Sequence, residues 1–236
     1  WLAIIPSNTS SHQSCFQLFM SIVKDGFAAG IHKGHKLSEI EYNNKEPFIA
    51  EFSNYDEAIN LLEQNIEEWK NLNSEINFDE FEDEIKLKSR LKSNEINSNQ
   101  IFFDFIDKII EDLSIPNNEK IVFSTGKNML TFHVGKRIVL GLKKDNFGFI
   151  SKELFNNSDL NINTKYSGGE NPNYYDKASE NDLHNFYENI KNAISDELKR
   201  DNHTKNKGYD NSAFRKAVFD ISYRQKFIQS NKHKLF

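Results

Sequence analysis

Apolar positions between Lys120 and Lys152 fall in short runs of Val, Ile, Leu and Phe, broken at Gly126, Gly135 and Asp145-Asn146. Leu130, Phe132 and Val134 recur at every second position, as do Ile138, Leu140 and Leu142, so each trio is predicted to share one face of a strand. Gly135-Lys136 reads as the tight turn between them. The stretch is a predicted β-meander with one packed apolar face and one face open to water.

Helical spacing flanks it. Phe102, Phe105, Ile106, Ile109 and Ile110 form one stripe over 101–113, stopped by Pro116-Asn117-Asn118. Ser179 and Asp182 cap the start of a second helix reaching Leu198, with Leu183, Phe186, Ile190, Ala193 and Ile194 recurring along it. Helix, meander and helix define a predicted α+β unit over 99–200. Residues 38–98 read as an acidic helical region in which Leu62, Ile66 and Trp69 continue one face behind the capping signal Ser53-x-x-Asp56. The first residues, Trp1 to Ile5, read as a strand closed by Pro6. A helix is expected from near His12 on Phe16, Phe19, Met20 and Val23, ended by Gly26, and a strand on Phe27 to Ile31. The fold class is α+β in two parts, 1–98 and 99–200, followed by a basic segment over 201–236 predicted to contain a helix.

Composition sharpens this picture in three ways. At 236 residues with twenty Phe, the chain can build a sizeable core despite its modest aliphatic content. Its one cysteine, Cys15, rules out an internal disulfide framework and fits a reducing compartment. No apolar run approaches the ~20 residues of a membrane helix and no leader is apparent, so a cytoplasmic protein is expected. The start at Trp1 without Met suggests a piece of a longer chain with further domains or subunits.

Charge is unevenly spread. Residues 39–84 hold fifteen Asp and Glu against two Lys, whereas Lys120–Lys152 holds six Lys and one Arg against Asp145 alone. Residues 205–236 carry eight Lys and Arg against two Asp. Such polarity suits either solvated faces or a nucleic acid backbone. The wet face and turns of the meander carry Lys127, His133, Lys136, Arg137, Lys143 and Lys144, the expected phosphate contacts. Tyr174 and Tyr175 close a loop beginning at Tyr166, where aromatic rings can lie against a base.

Catalytic chemistry finds little footing. His12-x-x-Cys15 with His32-x-x-His35 has the pair-and-pair spacing of a zinc site, but Cys15 also falls on an apolar stripe and ordinary packing explains it. The Gly30–Gly34 loop lacks the phosphate-loop pattern. Glu84-Ile85-Lys86 matches only the second half of a PD-(D/E)xK nuclease pattern, with no apolar strand bearing the first Asp upstream. No catalytic residue, metal or cofactor is assigned.

Near the end of the sequence, Phe214, Arg215, Val218, Tyr223 and Ser230 fall in the order of the lead-in helix of restriction-type HNH endonucleases, which residues 212–231 resemble. The family's cysteine is Phe227 here. The resemblance implies the upstream targeting part of a restriction or defence protein, with DNA as partner and no nuclease site of its own. The expected function is a nucleic-acid-binding specificity module, reading modified bases; the alternatives are a metal-dependent nuclease or hydrolase, or a protein-interaction module.

Overall fold

The computed structural model describes residues 2–9, 11–39, 48–74, 76–126, 128–155, 160–163, 172–200 and 210–232. The chain divides into two compact units, Trp1–Ile85 and Lys86–Phe236.

The first unit is a four-stranded antiparallel sheet in chain order: β1 (Leu2–Ile4), β2 (Phe16–Val23), β3 (Gly26–Lys33) and β4 (Phe48–Phe52). A single 3-10 turn, His12–Ser14, precedes β2, and a short α1 (His35–Glu39) follows β3. The helix expected from His12 is therefore a strand. Phe16, Phe19, Met20 and Val23 fit a helical period, but Phe16, Leu18, Met20 and Ile22 fit a period of two equally well. The β-rich composition and the two-residue Lys24-Asp25 turn before Gly26 decide for the hairpin, in which Val23 pairs with Gly26. Helix α2 (Tyr55–Ser74) covers one face through Ala58, Leu62, Ile66 and Trp69, burying Phe16, Leu18, Ala29 and Ile31. The Asn54 side chain accepts from the Glu57 N–H at its start, so Asn54 performs the capping expected of Ser53. At the other end, the buried Asn73 accepts from the Phe16 N–H at 3.1 Å and donates back to its carbonyl at 3.0 Å, fixing where β2 begins.

Helix α3 (Phe78–Ser93) supplies Phe78 and Phe81 to the first core and Leu87 and Leu91 to that of the second unit. Glu84 and Lys86 stand two residues apart on this helix, where side chains do not converge, so the partial nuclease pattern does not assemble.

The second unit contains the expected helix–meander–helix arrangement. Helix α4 (Ile96–Leu113) leads to β5 (Ile121–Thr125), β6 (Leu130–Val134), β7 (Arg137–Lys143) and β8 (Asn146–Ser151). Two further strands, β9 (Asn161–Ile162) and β10 (Asn173–Ala178), complete an antiparallel sheet of order β5-β6-β7-β8-β10-β9. The Ser179–Asp182 capping box is formed and starts α5 (Glu180–Asn185); α6 (Tyr187–Lys199) continues after Phe186. Helices α4 and α6 lie on one face of the sheet, enclosing Phe102, Ile106, Leu130, Phe132, Leu140 and Phe149.

Gly135-Lys136 forms the two-residue turn, with Val134 opposite Arg137. The expected apolar trio of β7 is nonetheless broken. Phe132 faces Leu140 while His133 faces Ile138, so the strand bulges at Val139 and Ile138 moves to the face opposite Leu140 and Leu142.

The C-terminal segment forms α7 (Ser212–Phe219) and α8 (Ile221–Lys232), separated at Asp220. Phe214 packs against Phe102, Phe103 and Phe123, and Val218 and Tyr223 are buried. Arg215 donates to the Ile121 carbonyl, the Asn118 carbonyl and Asn117 Oδ1, and pairs with Asp210. Asp210 accepts from the Phe123 N–H and the Asn211 N–H donates to the Phe123 carbonyl, so this segment closes the outer edge of β5. Docking to β5 thus accounts for the residue types at 214 and 215, and burial for those at 218 and 223.

Candidate nucleic-acid interface

The face of the six-stranded sheet opposite α4 and α6 is where the second unit presents chemistry. Two glycines, Gly141 on β7 and Gly148 on β8, are directly paired across the strands. The Tyr174 ring occupies the space above them: a Cβ on Gly148 would meet Tyr174 Cζ at 2.6 Å, and one on Gly141 would meet the phenol oxygen at 2.6 Å and Met129 Sδ at 3.1 Å. Bare backbone at both positions lets an aromatic ring lie against the sheet. Around it opens a cleft of about 950 Å³, with Ile138, Met129 and Tyr174 among its apolar lining. That is at the upper end of the size of small-molecule sites, which run to ~1,000 Å³.

Most of the polar lining comes from three places, with Ser124 and Asn128 added from β5 and the loop after it. Thr131 and His133 face the cleft from β6; Lys143, Lys144 and Asn146 come from the β7–β8 turn; Asn163, Asp176 and Lys177 come from β9 and β10. Thr131 Oγ1 and His133 Nε2 are 2.7 Å apart. Burial pushes the imidazole of His133 down to about 4, the Lys136 backbone and the Asp210 carboxylate pulling weakly the other way. His133 is therefore uncharged at neutral pH and adds no cation to the site. The cations are Lys143, Lys144 and Lys177, all exposed and none in an ion pair among the described residues. Asp176, which accepts from Asn163 Nδ2 at 2.9 Å, is the acidic group of the lining, so the rim is net positive.

Two of these lysines have an unusual backbone. Lys144 has φ 59° and Lys177 φ 61°, and Ser114 is the other non-glycine residue at positive φ among the described residues. Such conformations cost a non-glycine side chain about 1 kcal/mol or more and persist where surrounding structure enforces them. The Lys144 N–H donates to Asn94 Oδ1 at 2.9 Å, and Arg90 Nε donates to the Gly126 carbonyl on the neighbouring loop at 2.7 Å, so the last turn of α3 and the residue after it brace the rim. Lys177 sits in the irregularity of β10 between Tyr175 and Ala178.

The residues singled out from sequence separate into groups. His133, Lys143, Lys144 and Tyr174 converge on the cleft. Lys136 is exposed in the β6–β7 turn, away from that lining, and makes no ion pair among the described residues. Arg137 turns to the helix-covered side, 3.3 Å from Glu197 of α6, which is itself buried. Tyr175 also faces the helices, stacked on Phe149 and donating its hydroxyl to the Glu153 carbonyl at 2.9 Å. Lys127 and Tyr166 lie outside the described residues. Sequence reasoning missed Lys177 and Ile138, both placed by bulges. It also missed the glycine pair, for which isolated glycines inside two strand patterns were the available signal.

In the first unit, Cys15 is fully buried with its thiol near the Ser11 and His12 carbonyls, and burial pushes it up to about 11. Among the described residues no group of His, Cys, Asp or Glu is disposed to hold a metal ion. None of their helices is long and apolar enough to cross a membrane. No protein-family model matches this chain, and neither the curated proteins nor the solved structures contain a match to it.

Proposed function

We propose that this chain is a nucleic-acid-binding specificity module, in which the open face of the six-stranded sheet receives a base and the surrounding lysines hold phosphates. The observation that carries this reading is the coincidence of a largely apolar cleft, floored by an aromatic ring, with three lysines at its rim that form no ion pair among the described residues, two of them in costly backbone conformations. A nucleotide needs both parts, since phosphate contacts position a ligand and base contacts specify it. Lys143, Lys144 and Lys177 engage the backbone, joined by Lys136 from the adjacent turn. Ile138 and Met129 offer apolar surface to the base above the buried Tyr174 ring, and Asn128 and Asn146 offer side-chain amides to its edge. A base can reach such a pocket from a single strand or by leaving the stack of a duplex. The C-terminal resemblance to restriction endonucleases supports the targeting part of a restriction or defence protein as the biological setting, and modified cytosine as the base to try first.

Fluorescence anisotropy of the full chain against unmodified and cytosine-modified duplexes and a single strand, at two salt concentrations, tests this. The Lys143→Ala/Lys144→Ala/Lys177→Ala variant should weaken binding to every probe about equally and reduce the salt slope by about 2 to 3. Absence of binding at low salt to all three probes overturns the proposal.

A further inference from the structure

The first unit has a site of its own. On the face of its sheet opposite α2, β2 presents Gln17, Phe19 and Ser21 in succession, because alternate residues of a strand share a face. Gln17 lies directly opposite His32 of β3, and Phe19 lies opposite Gly30. The Phe19 and His32 rings are 6.0 Å apart and tilted at 45°. With His12 and His35 at the margins, these side chains line a cleft of about 420 Å³, and no Asp or Glu is among the described residues lining it.

Gln17 indicates what the cleft is built for. It is only 4% exposed, yet its side chain makes one hydrogen bond among the described residues, from Nε2 to the His12 carbonyl at 2.6 Å. That bond fixes the amide, since a carbonyl accepts only from the nitrogen end. Oε1 accepts from none of the described residues and is open to the cleft, beside the second proton of the same amide. The unmet pair matches a ligand edge carrying an adjacent donor and acceptor, which is what a nucleobase offers an Asn or Gln side chain. Phe19 and His32 supply flat surface for the ring. The imidazoles of His32 and His35 offer ring N–H donors to the attached phosphate, with no carboxylate among the described residues of the lining.

We infer that the first unit binds a single nucleotide on its open sheet face, its base held at the edge by Gln17 and against the rings of Phe19 and His32. The cleft is too small for a duplex and takes one nucleotide, free or within a single strand. The site is independent of the lysine cleft of the second unit.

The test is NMR of the histidine ring signals of the full chain, titrated with adenosine monophosphate and, separately, with a short oligodeoxyadenylate. Shifts of the His32 and His35 signals support the site; a response to the mononucleotide identifies a free nucleotide as sufficient, and a response to the oligomer alone identifies a strand. The exposed His32→Ala, which spares the core, should weaken binding of the responding probe about tenfold, as loss of one base–aromatic stack implies. Gln17→Met should weaken it similarly. The triple lysine variant of the second unit should leave the shifts intact, so failure of duplex binding and failure of this site are separable. Unchanged histidine signals with both probes, unaltered affinity in His32→Ala, or loss of the shifts in the triple lysine variant overturns the inference.

Discussion

Tyr174 and Gly148 occupy one another's space: the phenol ring lies where any side chain at 148 would begin, with Cζ 2.6 Å from the position of a Cβ. Gly148→Ala should therefore destabilise the second unit by about 2 to 3 kcal/mol, the range of overpacked cores, read as a lowered denaturation midpoint. Combining it with Tyr174→Ala should cost less than the two single changes added together, because the second change removes the ring that the first one strikes. Strict additivity would mean that the two residues do not meet.

Arg137 is tied to the fold through Glu197, a carboxylate held 3.3 Å from its Nε and only 3% exposed at the side chain. Arg200 approaches the same carboxylate at 3.0 Å from a more exposed position. Removing Arg137 leaves a buried carboxylate short of one of its cations, so Arg137→Ala should cost about 2 to 3 kcal/mol in chemical denaturation, and Glu197→Gln should recover part of that loss in the double variant. Affinity for nucleic acid, measured where the variant remains folded, should fall far less than in the triple lysine variant.

His133 makes stability depend on pH. Its folded value lies near 4 against an ordinary 6.5, so as pH falls the unfolded chain takes up the proton first. The contribution is whole above pH 6.5 and is lost as pH falls toward 4. His133→Gln should flatten the stability profile between those limits relative to the parent chain, read by urea unfolding at a series of pH values. An unchanged difference between the two proteins across that window would show that the imidazole is charged in the folded state.

Lys144 separates folding from binding. At φ 59° a glycine is more comfortable than a lysine, so Lys144→Gly should raise stability by about 0.5 to 1 kcal/mol. The same change should weaken nucleic acid binding and reduce the salt slope by about 1, since one phosphate contact is gone. A gain in stability with no loss of affinity would remove Lys144 from the proposed interface.

Much of the second unit was legible in the residues themselves. The α4 stripe, the Ser179–Asp182 box and the Gly135-Lys136 turn are local signals, each written within a few positions, and all three are formed. The β2 strand was not legible, because Phe16–Val23 satisfies two periods at once and Gly26 can end a helix or follow Asp25 in a hairpin. The cleft was half legible. Lys143 and Lys144 flank a turn, and turns are exposed; the direction of Arg137 depends on Glu197, a partner far along the chain that no local pattern names. Tyr174 and Tyr175 were read together, yet neighbours on a strand point to opposite faces, and only Tyr174 reaches the cleft. Ile138 and Lys177 owe their places to strand irregularities, which shift everything on one side by one position and leave no mark in a hydrophobic pattern.

The Asp210–Asn211 segment and Arg215 engage the backbone of Ile121 and Phe123 along β5. A strand from another molecule arriving there finds those donors and acceptors already taken, so the sheet offers no seam on that side for polymerisation. Crowded in a cell or concentrated in a tube, the chain is shielded at this border from joining its neighbours into fibres, and loosening α7 would expose the seam before it disturbed the cleft on the sheet's open face.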